Sequence, residues 1–280
     1  MTPSRGYLLC SVERTGSNLL AQAVAGTGMA GQPVEFFNAV EQEKPWLREI
    51  LGDSAMVDGL PKLLAAGSTP NGVFGAKVHW NHFRHLGMSV NGEWSEAQRL
   101  GPYQLLQSRL PTLLPQAAAH ELLQSRFSDL HPQATAYQLL RSLLPDLRII
   151  WLQRRNMVAR AISHFRARQS GLWYIPSSSR VPAQQTPEFD LAEIHNLYCL
   201  GDFQQQSWRR FFEEYGIQPH CVFYEQLVEN YEPTVRNVLS FLGLDGDQTV
   251  IPSPISLKQG DALSQAWEEH YRTLKWEAGL

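Results

Sequence analysis

An apolar run, Tyr7-Leu8-Leu9-Cys10, leads into the short polar loop Ser11-Val12-Glu13-Arg14-Thr15-Gly16-Ser17-Asn18 and then into a leucine-bearing helical pattern. This strand–loop–helix is the strongest constraint on what the chain can fold into. The free N–H groups and positive dipole end of a helix N-terminus favour a bound phosphate or sulfate. Arg14 adds a fixed positive charge, and Ser17 and Asn18 add short hydrogen-bonding side chains. It is not a Walker A loop, because Ser17 and Asn18 follow Gly16 where that motif requires lysine. A plain turn with Gly16 for backbone freedom and Ser17 as N-cap is the competing reading.

The segment beyond the first helix separates the two readings. Gly31-Gln32-Pro33-Val34-Glu35-Phe36-Phe37 sets a carboxylate between glycine-proline turn chemistry and two phenylalanines. Beside aromatic rings, a carboxyl is expected to have a raised pKa and to serve as a proton acceptor.

Four segments, in order, resemble the bacterial sulfotransferases of the mycobacterial trehalose 2-sulfotransferase family. They are the Ser11-to-Leu20 loop, the Gly31-to-Phe37 segment, Asn71-Gly72-Val73-Phe74-Gly75-Ala76-Lys77-Val78-His79-Trp80-Asn81, and Leu152-Gln153-Arg154-Arg155-Asn156-Met157-Val158-Ala159-Arg160-Ala161-Ile162-Ser163. The resemblance implies a P-loop-like sulfotransferase fold and 3′-phosphoadenosine 5′-phosphosulfate (PAPS) as donor, with no metal. It assigns Arg14, Thr15, Gly16, Ser17 and Asn18 to the 5′-phosphosulfate. Arg154 and Ser163 go to the 3′-phosphate, and Glu35 becomes general base. Lys77 is implied at a sulfuryl oxygen, and Lys258 and Gln259 in a basic loop closing over the 3′-phosphate. Phe37, Trp80, Asn81 and Trp173 are acceptor-binding candidates, and His79 and His82 compete with Glu35 as base. The family's reference enzyme has glutamate where Gln32 stands, so the acceptor is a carbohydrate, glycolipid or similar hydroxyl compound rather than trehalose by default.

The second phosphate site also follows from the residues. Arg148-Ile149-Ile150-Trp151-Leu152 reads as a buried strand, and Met157, Ala161, Ile162 and Phe165 carry helical spacing from Asn156 onward. That sets Arg154 at the carboxyl edge of a parallel sheet, where open α/β folds bind ligands. Arg155, Arg160, Arg166 and Arg168 are spread around the helix and are read as its solvated face.

With 280 residues, 43% hydrophobic and 18% charged, the chain is expected to form one α/β domain with a central, mostly parallel sheet flanked by helices. A leucine-, glutamine- and alanine-rich stretch from about 83 to 145 reads as a helical insertion broken at prolines. Within it Tyr103-Gln104-Leu105-Leu106 echoes Tyr137-Gln138-Leu139-Leu140, as two leucine-faced helices would. Residues 171–189, polar and proline-containing, read either as a lid loop bearing Trp173 and Tyr174 or as a plain surface linker. The net charge of −3 argues against a nucleic-acid-coating protein. Three scattered cysteines, Cys10, Cys199 and Cys221, suggest reduced buried thiols in a cytoplasmic protein. With a strand read within a few residues of the N-terminus, no signal peptide is expected, and no apolar run is long enough to span a bilayer. A homodimer is expected from the resemblance alone. The alternatives are a nucleotide-dependent kinase or related P-loop transferase, and a non-catalytic nucleotide-binding homologue.

Overall fold

In a computed structural model of the chain, residues 3–38, 45–93, 102–108, 113–173, 188–244, 249–254 and 261–280 are described. Four strands, β1 (Arg5–Ser11), β2 (Val73–His79), β3 (Leu147–Gln153) and β4 (His220–Phe223), pair in parallel in the order β2-β1-β3-β4. Parallel sheets are covered on both faces, which is why these strands read as near-continuous apolar runs. Successive side chains still alternate between two cores. Leu8, Cys10, Phe74, Ala76 and Val78 enter one, with Trp80, Trp208 and Phe211; Tyr7, Leu9, Ile150 and Leu152 enter the other, with Leu20, Val24 and Leu239.

The β1–β2 crossover carries α1 (Ser17–Ala25), α2 (Pro45–Leu51) and α3 (Leu60–Ala66). Before β2, the chain meets the sheet at an antiparallel bridge between Ser68 and Phe74 and at a parallel bridge between Val34 and Ala76, where the Lys77 N–H donates to Val34 O at 3.0 Å. This pins Glu35 beside the carboxyl half of β2.

Between β2 and β3 lie α4 (Trp80–Val90), α5 (Pro102–Gln107), α6 (Gln116–Phe127) and α7 (His131–Leu143). Both leucine-faced helices of the Tyr103 and Tyr137 echo are present, as α5 and α7. Pro132 lies in the first turn of α7 and Pro115 at the N-cap position of α6, where a missing N–H costs nothing, so both mark the starts of helices. At the crossing of α4 and α7 a Cβ on Gly87 would lie 1.6 Å from Pro132 O, so only glycine permits that approach.

After β3 come α8 (Met157–Ser170) and the long α9 (Leu191–Glu214), and after β4 come α10 (Tyr224–Glu229), α11 (Tyr231–Phe241) and α12 (Ala262–Glu277). Side chains cap three of these: Asn156 accepts from Ala159 N–H, Asp190 from Glu193 N–H and Asp261 from Ser264 N–H. Glu225 accepts from the N–H groups of Arg155 and Asn156 ahead of α8, tying α10 to the loop after β3. Cys10, Cys199 and Cys221 are free, but Cys221 is exposed where a buried thiol was expected, because it lies on the outer face of the edge strand β4, opposite buried Val222. Among the described residues no helix is long and apolar enough to cross a membrane.

Candidate active site

The carboxyl ends of β1, β2 and β3 bring three groups of side chains together. The first is the loop after β1. Gly16, not Ser17, occupies the N-cap position of α1, with φ of 86°, and no side chain among the described residues caps this helix. A Cβ there would meet Tyr224 Cδ2 at 2.6 Å, so glycine is needed for both conformation and space. Arg14 also has a positive φ, 68°, which a non-glycine residue adopts only when its surroundings hold it. Thr15, fully buried, ties the turn by donating to Val12 O at 2.8 Å.

The second group is arginine-rich. Arg14 Nε donates to Ser163 Oγ at 3.0 Å, and its guanidinium also donates to the carbonyl of Trp173. Arg154 donates to Arg14 O at 3.0 Å and stacks on the Tyr224 ring, 4.5 Å from its centroid. Arg14, expected on the 5′-phosphosulfate, is thus bonded to Ser163, the residue assigned to the 3′-phosphate. Arg160 corrects the solvated-face reading. It is fully buried, donating to Glu13 O at 3.2 Å and to Leu197 O on α9. A Cβ on Gly201 would lie 2.1 Å from its guanidinium carbon, so α9 makes room for it. Burial, with Arg154 as neighbour, lowers the Arg14 pKa to about 10, and burial does the same to Arg160. Both remain cationic. Arg155 lies over Phe223, while Arg166 and Arg168 pair with Asp261 and Glu193, as surface residues do.

The third group surrounds Glu35. Lys77 Nζ lies 2.7 Å from Glu35 Oε1 and also donates to Asn18 Oδ1 on the first turn of α1. His79 Nε2 is 3.3 Å from the same Oε1, and Asn38 Nδ2 donates to Oε2 at 3.1 Å. Residues i and i+2 of a strand share a face, which is how Lys77 and His79 reach one oxygen. On its other side His79 Nδ1 meets Ser11 Oγ at 3.1 Å, across the paired register of β1 and β2. The expected rise in the Glu35 pKa is reversed. Burial does push it up, but the hydrogen bond and charge of His79, with Lys77 and more distant His82, hold it well below the ordinary carboxylate range. Burial lowers the His79 pKa and Glu35 more than offsets this, for a net rise. His82, buried beside His79, is pushed down to about 3 and stays neutral. It is a poor competitor for the role of base.

Phe37 and Trp80 are corrections. Both side chains are fully buried in the core that contains Phe36, Phe83, Trp208 and Phe211, where no ligand reaches them. Asn81, next along α4, is half-buried. Trp173 is 45% exposed, with its ring edge-on to buried His164 at 5.5 Å. Lys258, Gln259, Tyr174 and most of the 171–189 loop fall outside the described residues. Sequence reasoning missed Ser11, Asn38, Arg160, His164 and Tyr224. Asn38, three residues after Glu35, and Tyr224, which opens a Tyr-Glu-x-Leu turn similar to one of sulfotransferases, had local signals.

The Stf0 sulphotransferase family matches residues 6–93 and 112–274. Trehalose 2-sulfotransferase of Mycolicibacterium smegmatis is 27% identical over 98% of this chain and 97% of its own length. Trehalose 2-sulfotransferase of Mycobacterium tuberculosis is 27% identical over 99% of this chain and 97% of its own. Among solved structures, the sulfotransferase domain from the Synechococcus PCC 7002 olefin synthase aligns over 97% of this chain and 88% of that one, with TM-score 0.41 and 19% identity.

Proposed function

We propose, for a chain that belongs to the Stf0 sulphotransferase family, that it transfers the sulfuryl group of PAPS to a hydroxyl of a carbohydrate or similar acceptor. The observation that carries this reading is Lys77, bonded at once to Asn18 on the anion-binding loop and to Glu35. Donor loop and base are thus within one side chain of each other.

The residues fit a donor with phosphates at both ends of its ribose. Burial lowers the basicity of Arg14 and Arg160, and the neighbouring charge of Arg154 lowers both further, a repulsion that a bound polyanion relieves. Arg154 Nε is buried without a partner among the described residues, as expected of a group waiting for a ligand oxygen. Arg154, Ser163 and Arg14 would hold the 3′-phosphate, and the N–H groups of Gly16, Ser17 and Asn18 the 5′-phosphosulfate. PAPS supplies the activated sulfuryl group. Glu35 takes the acceptor's proton while the acceptor oxygen bonds to sulfur and the bond from sulfur to the 5′-phosphate oxygen breaks. Such transfer depends on positioning and on charge stabilisation, which Lys77 and the helix N-terminus provide. This mechanism involves no metal ion.

The relatives' name supports a sugar as acceptor, and Gln32 leaves its identity open. Exposed Trp173 at the end of α8 supports a role in stacking on it. Free cysteines support a reducing, cytoplasmic setting. The test is transfer of ³⁵S from labelled PAPS to a panel of mono- and disaccharides. The expected result is labelled sugar with the wild type and a loss of about 10²–10⁴ in rate for Glu35→Gln, with PAPS affinity retained. Equal rates for the two proteins would remove Glu35 as base.

A further inference from the structure

Glu35 is badly placed to act as a base in the free enzyme. Oε1 accepts from both Lys77 and His79, and Oε2 accepts from Asn38. A carboxylate oxygen has two strong acceptor directions, so the oxygen nearest the donor loop is already saturated. The charged and titratable groups that face the carboxylate are Lys77 and His79 on β2 and His82 on α4, with Glu13 of the donor loop facing the two histidines. Of these, Lys77 alone is bonded to Glu35 at one side and to the donor loop at the other. Its side chain is 8% exposed, so the ammonium has little recourse to water and must stay with protein or ligand charge.

We propose that Lys77 gates the base: its ammonium keeps Glu35 blocked until the sulfuryl group of a bound donor draws it away. This rests on the reading of the chain as a PAPS-dependent sulfotransferase. The lysine stem is flexible and its head is a compact point charge, so it can change partners without movement of β2. Asn18 already holds Nζ at the helix turn where the donor's anion would sit. On transfer, Oε1 regains an acceptor site and loses its nearest cation. His79, fixed by Ser11, stays and keeps the carboxylate oriented. The acceptor's proton then finds a competent base only when the donor is in place, and productive binding is ordered, donor first.

The experiment is a ¹³C NMR pH titration of Glu35, assigned by loss of its signal in Glu35→Gln. It is run on the full chain alone, with PAPS, and with 3′-phosphoadenosine 5′-phosphate (PAP), which lacks the sulfuryl group. An opposite charge within ~4–6 Å lowers a carboxyl pKa by about 1–3 pH units, so PAPS is expected to raise the Glu35 value by that amount and PAP by clearly less. Lys77→Met should show the raised value with no ligand, and a smaller further response to PAPS. Equal effects of PAP and PAPS on the wild type overturn the gate, and this comparison needs no variant that has to fold. An unchanged Glu35 in folded Lys77→Met overturns it as well. Calorimetry separates the two levels of the argument: no PAPS binding removes the sulfotransferase reading and the gate with it, whereas binding with an unmoved Glu35 removes the gate alone.

Discussion

Gly201→Ala tests whether buried Arg160 is the strut between α9 and the donor loop. The new Cβ would lie 2.1 Å from Arg160 Cζ and Nη2 and 2.4 Å from Nε, inside van der Waals contact with all three. A guanidinium at the surface would move aside at little cost. This one is fully buried, and displacement takes it off the carbonyls of Glu13 and Leu197. Hydrogen bonds from charged groups are worth about 1.5–3 kcal/mol each, and leaving a buried charge without its partners costs about 3–5 kcal/mol. A destabilisation of about 3 kcal/mol is therefore expected. At roughly 2 cal/mol/K of unfolding entropy per residue, that lowers Tm by about 5 °C for 280 residues. The assay is a double-mutant cycle in urea with Arg160→Met, whose unbranched side chain has no charge to displace and bends around a methyl group. In that background Gly201→Ala should cost less than about 1 kcal/mol, a coupling of about 2 kcal/mol or more between the two sites. Gly201→Ala should also weaken PAP binding several-fold, because Glu13 O belongs to the loop that would hold the phosphate. If Gly201→Ala costs the same in both backgrounds, its effect lies in α9 alone and the strut does not exist.

Two further outcomes follow from the same geometry. Gly16→Ala forces a left-handed residue with φ of 86° against the Tyr224 ring, so it should cost about 1–2 kcal/mol from backbone strain alone and weaken PAP binding; wild-type stability and affinity would show that the loop is free to rearrange. His82, pushed down to about 3, and His164, well below its usual value, are both buried and neutral, chiefly because burial disfavours their charged forms. The unfolded chain binds these protons near pH 6.5 and the folded chain does not, so stability should fall as pH drops from about 6.5 toward 4. The slope is at most about 1.4 kcal/mol per pH unit per histidine, urea titrations at several pH values would measure it, and His82→Gln should remove its own share while those of His164, His85, His195 and His220, also lowered by burial, remain. The raised His79 works in the opposite sense, adding stability below pH 6.5 that is lost as pH rises through its folded value. A flat profile between pH 6.5 and 4 would contradict this assignment of buried neutral histidines.

The sheet and the donor loop were legible because their signals are local. An apolar run, a glycine with positive φ and a helical pattern suffice to place Arg14 to Asn18, and the same logic places Arg154 after β3. What the side chains meet was less legible. Phe37 and Trp80 look like ligand-stacking aromatics, yet both are buried in one core, where Trp208 and Phe211 of α9 pack on Trp80. Arg160 has exposed-looking company on its helix, and what buries it is a glycine on a different helix, with no pattern in α8 to announce it. Glu35 shows the same limit in its electrostatics. Its aromatic neighbours in sequence predict a raised pKa, yet its neighbours in space are Lys77 and His79, delivered by strand pairing across the sheet. Nothing local could reverse that sign.

The donor site is probed by calorimetric titration with PAP on wild type and Arg154→Ala, with ATP as the comparison. Tight PAP binding that is lost in Arg154→Ala, with ATP much weaker, is the predicted result. ATP binding as tightly as PAP, or PAP binding that ignores Arg154, would contradict a 3′-phosphate site built from Arg14, Arg154 and Ser163.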